Sequence, residues 1–570
     1  MRPRILAGSV VLLGPPLVAL ALRIPPVNQL DYADAWFYSA YAWVPKHHFT
    51  VFDWNYFSVR FPAILSIGIF ERAFGTQEGY VLLRYLLAVA SGAALYLGVR
   101  RFAASAVAVA AVVLLYLNPF FSRMLLWDYA NFVVVSAGVV GFSLWWWSDG
   151  RRALWTALPG TALAVAVYSN VILVMALVVL VVVEAVAAVR SGSAAVLYVA
   201  RRLAVAVAVA VVVLVVGYVS YLRFSAVSPD DLLRPTVEFL LSNEENSKLY
   251  QRPVTDWLYH EIRIWAPVVV SIALVAALRR RVLGTDVPAR IAQFCIGYTA
   301  FLWIYRLVVT SSVMETWWAY SLVVVVLAPA VGVLLDALAE QWRSDRFAAL
   351  LVVTVSWLGA LFLRWLDGPA LDFYREVASR RGLLFLVVAL SLVGASLLAV
   401  RQRIVRAVAL GSVFLALTLI TWAPSVFDGR GTTGVFVRDG DLDWDTYDAG
   451  KEFIEIVRDY DSPASRVYTW YPDNVGPDNI GWTTLPHLGQ TVHQIGSPTA
   501  MNSLGPLGRA RLLQPDAAFV LAMSTRPSDV LDARRALTSA GFAGRLVKDG
   551  TLADGRLRYV LIALTAKPSA

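Results

Sequence analysis

Two aspartates three residues apart, Asp31 and Asp34, stand in the stretch Leu30-Asp31-Tyr32-Ala33-Asp34-Ala35-Trp36-Phe37-Tyr38. The stretch begins a few residues beyond an apolar run that occupies most of residues 5–24. On a helix this spacing puts both carboxylates on one face. Ionised groups at the edge of a membrane span are costly and mark functional positions. Their chemistry would be that of a general base, or of a metal ligand, facing a lipid-linked substrate. The plainer alternative is that one of them caps a short interfacial helix. A third acid, Asp128 in Leu125-Leu126-Trp127-Asp128-Tyr129-Ala130-Asn131, opens another apolar run, and there too capping is the plain alternative.

Three arginines complete the set. Arg60 precedes Phe61-Pro62, Arg84 lies in the outer half of the apolar run that follows, and Arg306 ends Trp303-Ile304-Tyr305-Arg306. A guanidinium near the membrane boundary can hold a phosphate through two parallel hydrogen bonds. The alternative is snorkelling to the headgroups. The aromatic residues around the first acids read as an interfacial belt. Trp36 and Tyr38 there, and Tyr129 beside Asp128, are also candidates to stack on the sugar of an acceptor. His47 and His48 are adjacent and lack the i, i+4 spacing of a helical zinc pair, so no zinc site is expected. Neither a P-loop nor a GxSxG elbow with an outer histidine partner is found. Cys295 is the single cysteine, which excludes an intrachain disulfide.

The rest of the sequence says what must position these groups. Of 570 residues, 58% are hydrophobic and 16% charged, against roughly 45–50% and about 25% in soluble domains. Mean hydropathy is +0.63. These values exclude a soluble enzyme and a disordered chain. The net charge of +9 does not point to nucleic acid, because the basic residues come as short clusters between apolar runs.

About thirteen spans are expected, centred near residues 14, 89, 109, 138, 161, 179, 212, 271, 300, 328, 355, 391 and 415. The first reads as an uncleaved transmembrane helix, although Pro15 and Pro16 interrupt it. The pair near 161 and 179 is one run, split at Tyr168-Ser169-Asn170, and without that split the count is twelve. Basic clusters lie at Arg2/Arg4, Arg100/Arg101, Arg151/Arg152, Arg190 with Arg201/Arg202, Arg279–Arg281, Arg343/Arg346 and Arg401/Arg403/Arg406. All fall on one side if thirteen spans alternate, and that side should be the cytoplasm. The amino end is then inside, and the carboxyl end outside.

On this reading residues 1–424 form a transmembrane part. Its first outer loop, 25–80, carries the acids. The segment Ser228–Trp265, with Asp230, Asp231, Glu244 and Glu245, is a candidate lid. Residues 425–570 form a small extracytoplasmic α/β domain. Helical patterns are expected at Tyr447–Asp459 and Ser528–Ala540, the second capped by Gly541. Strands are expected at Arg466–Tyr471, Thr491–Ile495, Ala517–Met523 and Arg558–Ala563. Trp470 and Tyr471 end the first strand, as core aromatics or as a surface for glycan.

Together these features resemble the GT-C superfamily of polyprenyl-phosphate-sugar-dependent membrane glycosyltransferases, nearest to the protein O-mannosyltransferase and aminoarabinose-transferase type. The resemblance rests on Asp34-Ala35-Trp36-Phe37-Tyr38 after span one, then Arg60-Phe61-Pro62 leading through Phe74-Gly75 to Arg84. It also rests on Asp128 opening span four, and on Trp317-Trp318-Ala319-Tyr320 leading to Pro329. It covers the first 150 residues best. Many relatives carry two adjacent acids in the first loop, whereas Ala35 follows Asp34 here. Asp31 would supply the second acid, and a divalent cation, Mg²⁺ or Mn²⁺, is left open as a cofactor.

The resemblance implies a bacterial plasma-membrane protein that performs an inverting transfer from a polyprenyl-phosphate sugar. The acceptor would be an extracytoplasmic glycan, glycolipid or protein. Asp34 would act as base, Asp128 would assist it, and Arg306, Arg60 and Arg84 would hold the leaving phosphate. The competing readings are a lipid-linked polysaccharide polymerase or ligase, which would use a large central outer loop, and a transporter or flippase. Transporters often show paired inverted halves. None is visible here, and the acids cluster at the outer rim.

Overall fold

The computed structural model describes residues 3–21, 33–46, 58–118, 121–122, 125, 130–225, 262–309 and 317–344 in the membrane part. In the carboxyl-terminal part it describes 451–452, 455–460, 465–470, 493–496, 517–524, 534–535, 537–539, 542–552 and 557–566. The apolar runs and the aromatic stretch after the first become helices, and Pro15, Pro16, Pro267 and Pro329 are accommodated inside them: α1 Pro3–Ala21, α2 Ala33–Trp43, α3 Phe61–Phe74, α4 Thr76–Val99, α5 Ser105–Leu117, α6 Asn131–Trp147, α7 Ala157–Ser169, α8 Val174–Ser191, α9 Ser193–Ser225, α10 Ile262–Leu278, α11 Val287–Val309 and α12 Trp317–Ser344. Ten of these helices stand at the first ten expected spans. The spans near 355, 391 and 415 lie outside the described residues, as do the 226–261 segment and the boundary at 424. Five helical segments among the described residues are long and apolar enough to cross a membrane: Thr76–Val99, Val171–Ser191, Ser193–Ser225, Val287–Arg306 and Leu322–Glu340.

α6 is the centre of the bundle. It is apolar all round, and such a helix must be buried on every side. Phe132, Val134, Phe142 and Trp146 have essentially no exposed surface, and α4, α7 and α12 pack around it. α9 is the opposite case. Val207, Val211, Val215 and Val219 are exposed along one stripe. In a bilayer such a stripe faces lipid.

Contacts between helix ends give the direction of each helix. Arg101, just past α4, donates from Nη2 to the carbonyl of Asp149, just past α6, at 3.0 Å. Tyr198 near the start of α9 donates to the Arg151 carbonyl at 3.1 Å. Arg190, near the end of α8, donates to the Leu283 carbonyl in the turn between α10 and α11 at 3.2 Å. The clusters Arg100/Arg101, Arg151/Arg152, Arg190, Arg201/Arg202 and Arg279–Arg281 therefore share one face. At the other face Asn170, between α7 and α8, hydrogen-bonds to Asn131 at the start of α6. So α7 and α8 cross in opposite directions, and the long apolar run is split where the sequence suggested. The cause is Asn170 itself. Its backbone is extended (φ −156°, ψ 108°), and its side chain accepts the amide of Ile172 to start a new 3₁₀ turn, Val171–Leu173.

The basic face holds an ion quartet, buried except for the half-buried Asp149. Arg290 on α11 donates from Nη1 to both carboxylate oxygens of Glu184 on α8, at 3.0 and 2.9 Å, and from Nη2 to Asp149. Arg202 on α9 pairs with Asp149 at 3.3 Å and with Glu184 at 3.7 Å. Its guanidinium lies 4.2 Å over the ring of Trp145, whose Nε1 donates to Glu184 at 3.2 Å. Two cations and two anions close a neutral set that ties α6, α8, α9 and α11 together.

The carboxyl-terminal part is a mixed five-stranded sheet in the order β2-β1-β3-β5-β4. Its strands are β1 Ser465–Trp470, β2 His493–Gly496, β3 Ala517–Ser524, β4 Phe542–Leu552 and β5 Leu557–Ala566. β1 runs parallel to β2 and β3, and β5 is antiparallel to β3 and β4. Four strands match the expected ones, and β4 is an addition. Residues 451–452, 455–458, 534–535 and 537–539 are helical, within the two expected helices. Gly541 and Tyr471 lie outside the described residues.

Candidate functional site

The site is built at the face opposite the basic one, from the starts of α2, α3 and α6 and the matching levels of α4 and α11. α2 and α3 run side by side in the same direction. At their lower end Arg60, the residue before α3, donates from Nη1 to the hydroxyl of Tyr38 at 2.8 Å. At their upper end Trp43 Nε1 donates to Glu71 Oε2 at 2.6 Å. α3 also follows the last turns of α9. The Phe61 ring fills the space over Gly217, where an added Cβ would come within 2.6 Å of it. Arg72, further up, lies 4.1 Å over the ring of Phe224. Gly75 then reverses the chain into α4 with φ +96°, a conformation that favours glycine.

Arg60 and Tyr38 are both buried. Arg84 is buried as well, with its guanidinium 4.0 Å from the ring of Tyr80 and 4.0 Å from that of Phe132. An aromatic sandwich of this kind stabilises a cation away from bulk water. Arg306 is half-buried near the end of α11.

The three arginines stand at one height. Arg306 is above Arg290 on α11, Arg84 is above Arg100 on α4, and Gly217, where Phe61 packs, is above Arg202 on α9. Each separation is a little over four turns, about 23 Å. With the quartet near one boundary of a hydrocarbon core about 30 Å thick, that height is close to the other boundary. Two of the three guanidinium groups at this level, those of Arg60 and Arg84, are buried.

Asp34 is the second residue of α2, in its first turn rather than at its cap. It precedes Tyr38 by one turn, so the two positions share a face of α2, and residue 34 lies on the lower side. Trp36 occupies the same helix. Asp31, Asp128 and Tyr129 lie outside the described residues, as do His47 and His48. α6 begins three residues after Asp128, and Ala130 holds its N-cap position. Among the described residues no three of His, Cys, Asp and Glu come together as a metal site. Any divalent cation would need ligands from outside the described residues, where Asp31 and Asp128 lie.

Three polar residues at this end escaped the reading from sequence as candidate site residues. Glu71 is a buried carboxylate above the arginines. Asn131 and Asn170 are buried and joined by a 3.2 Å hydrogen bond. The usable signal for the pair was an amide at the edge of each of two apolar runs.

No family profile and no curated protein matches the chain. Among solved structures, it is similar to ArnT from Cupriavidus metallidurans bound to undecaprenyl phosphate, with 15% identity over 97% of each chain and a TM-score of 0.47. It is similar to the archaeal oligosaccharyltransferase AglB from Archaeoglobus fulgidus in complex with an inhibitory peptide and a dolichol-phosphate, with 12% identity, 96% of this chain, 73% of that one and a TM-score of 0.43. It is also similar to the arabinofuranosyltransferase AftD from Mycobacteria, with 14% identity, all of this chain, 40% of that one and a TM-score of 0.47.

Proposed function

We propose that this chain is an inverting glycosyltransferase that takes its sugar from a polyprenyl-phosphate donor. The observation that carries the reading is the set of Arg60, Arg84 and Arg306 at one height near a membrane boundary, beside the helix that Asp34 opens. A lipid phosphate lies at that depth by nature, because its tail is held in hydrocarbon and its head in the interface.

In the reaction the acceptor hydroxyl oxygen attacks the anomeric carbon as the bond from that carbon to the phosphate oxygen breaks. The hydroxyl proton passes to the Asp34 carboxylate. The leaving polyprenyl phosphate gains negative charge, which the guanidinium groups stabilise. Attack opposite the leaving group inverts the anomeric centre. Asp31 and Asp128 assist by orienting the acceptor, with or without a bound Mg²⁺ or Mn²⁺. Trp36, Tyr38 and Tyr129 belong to the acceptor side, Tyr38 through its hold on Arg60. Acceptors of matching chemistry are an envelope glycan, a glycolipid or a protein hydroxyl.

The basic face is cytoplasmic and the arginine site outer, in a bacterial plasma membrane. Residues 1–424 form the catalytic membrane part, and residues 425–570 an outer domain that positions the acceptor. Protease added from outside to sealed cells should cut within 425–570, and protection of that region would overturn this orientation.

The test of the function is turnover by the purified protein in lipid vesicles, with a panel of polyprenyl-phosphate sugars and an envelope extract as acceptor. Transfer or hydrolysis of one donor supports the reading; release from none removes it. Arg306→Ala should weaken donor binding roughly tenfold or more, the worth of a charge-assisted hydrogen bond. Unchanged affinity would take Arg306 out of the phosphate site.

A further inference from the structure

Asn170 and Asn131 occupy a place that the transfer chemistry does not use. Asn131 is fully buried and Asn170 is 4% exposed, at the end of the bundle where the arginines stand. The Asn170 side chain does two things at once. Its Oδ1 accepts the Ile172 amide at 3.2 Å, and its Nδ2 donates to Asn131 Oδ1 at 3.2 Å. Only a side-chain amide offers both an acceptor and a donor in this geometry; a serine or threonine hydroxyl is too short to span the two helices.

The neighbours of this link are the arginines' supports. Asn131 is followed by Phe132, whose ring lies under the Arg84 guanidinium. Two residues before Asn170 is Tyr168, whose ring centroid is 5.8 Å from that of Phe61, the residue after Arg60. Tyr168 is itself fixed by its hydroxyl, which donates to the Ala210 carbonyl at 2.9 Å. A continuous path of bonds and contacts therefore runs from Arg84 through Phe132, Asn131, Asn170, Tyr168 and Phe61 to Arg60.

We infer that the Asn131–Asn170 hydrogen bond holds the Arg84 and Arg60 sides of the lipid-phosphate site in register, which makes both asparagines positioning residues for that ligand. The inference rests on the proposed donor class. An interhelical hydrogen bond that serves packing alone would change stability and leave ligand affinity unmoved.

The experiment measures binding of undecaprenyl phosphate to the full-length protein in detergent, together with Tm. The variants are Asn131→Ala, Asn170→Ser and the double substitution. Serine keeps an acceptor for the residue 172 amide and loses the reach to residue 131, so the break between α7 and α8 is preserved. Each single variant should raise Kd roughly three- to fifteenfold. The double variant should be no weaker than the weaker single one, because both remove the same bond. Additive losses, or an unchanged Kd with a lowered Tm, would overturn the inference. A wild-type protein that shows this binding pattern but turns over no sugar donor removes the transfer reading and leaves the inference standing. Failure of the wild type to bind undecaprenyl phosphate removes both.

Discussion

Asp34→Asn should lower sugar transfer by roughly 10²–10⁴-fold, the contribution of a positioned general base, and should leave a folded protein that still binds lipid phosphate. The substitution keeps the size and shape of the side chain and removes its ability to take a proton. Its structural cost is small for a reason set by position. Residue 34 is the second residue of α2, in its first turn. What is lost is the interaction of one carboxylate with the helix dipole, about 0.3–1 kcal/mol. The measurement is release of sugar from the active donor, with undecaprenyl phosphate affinity and Tm taken on the same preparation. A collapse of turnover with both controls unchanged isolates the proton transfer. Near-normal turnover would remove Asp34 from the base role and direct attention to Asp31 and Asp128.

The arginines were legible from sequence because a guanidinium in or beside an apolar run is expensive and stands out. Their common height was not, since it depends on where Arg100, Arg202 and Arg290 meet the basic face. The Arg60–Tyr38 bond needed α2 and α3 to dock, which no local pattern dictates. Asn170 was visible only as a break in a run, and its partner Asn131 is 39 residues away. In the sheet, β4 escaped because Arg545, Lys548, Asp549 and Gly550 dilute its alternation. The usable signal was Asp554-Gly555, a hairpin pair standing between β4 and β5. The membrane helices were the easiest part, because each must satisfy its own backbone in lipid and so must be a continuous apolar run.

Glu184 carried the clearest signal left unused. It is a lone acid after Val181-Val182-Val183, and such a residue demands a partner. Its partners come from far along the chain, Arg290 on α11 and Trp145 on α6. Glu184→Gln should therefore be strongly destabilising. Glutamine fits the space but removes one of two anions facing Arg202 and Arg290, and leaves a buried uncompensated charge. Breaking a buried pair in this way costs about 3–5 kcal/mol. The double variant Glu184→Gln with Arg290→Met removes one charge of each sign and leaves Asp149 with Arg202 as a neutral pair. It should recover much of the lost stability, because the penalty lies in the orphaned charge and not in the missing contact. Tm and monodispersity in detergent read this directly. A double variant less stable than Glu184→Gln alone would mean that the quartet stabilises through its individual contacts, and that charge balance at the basic face does not set the cost.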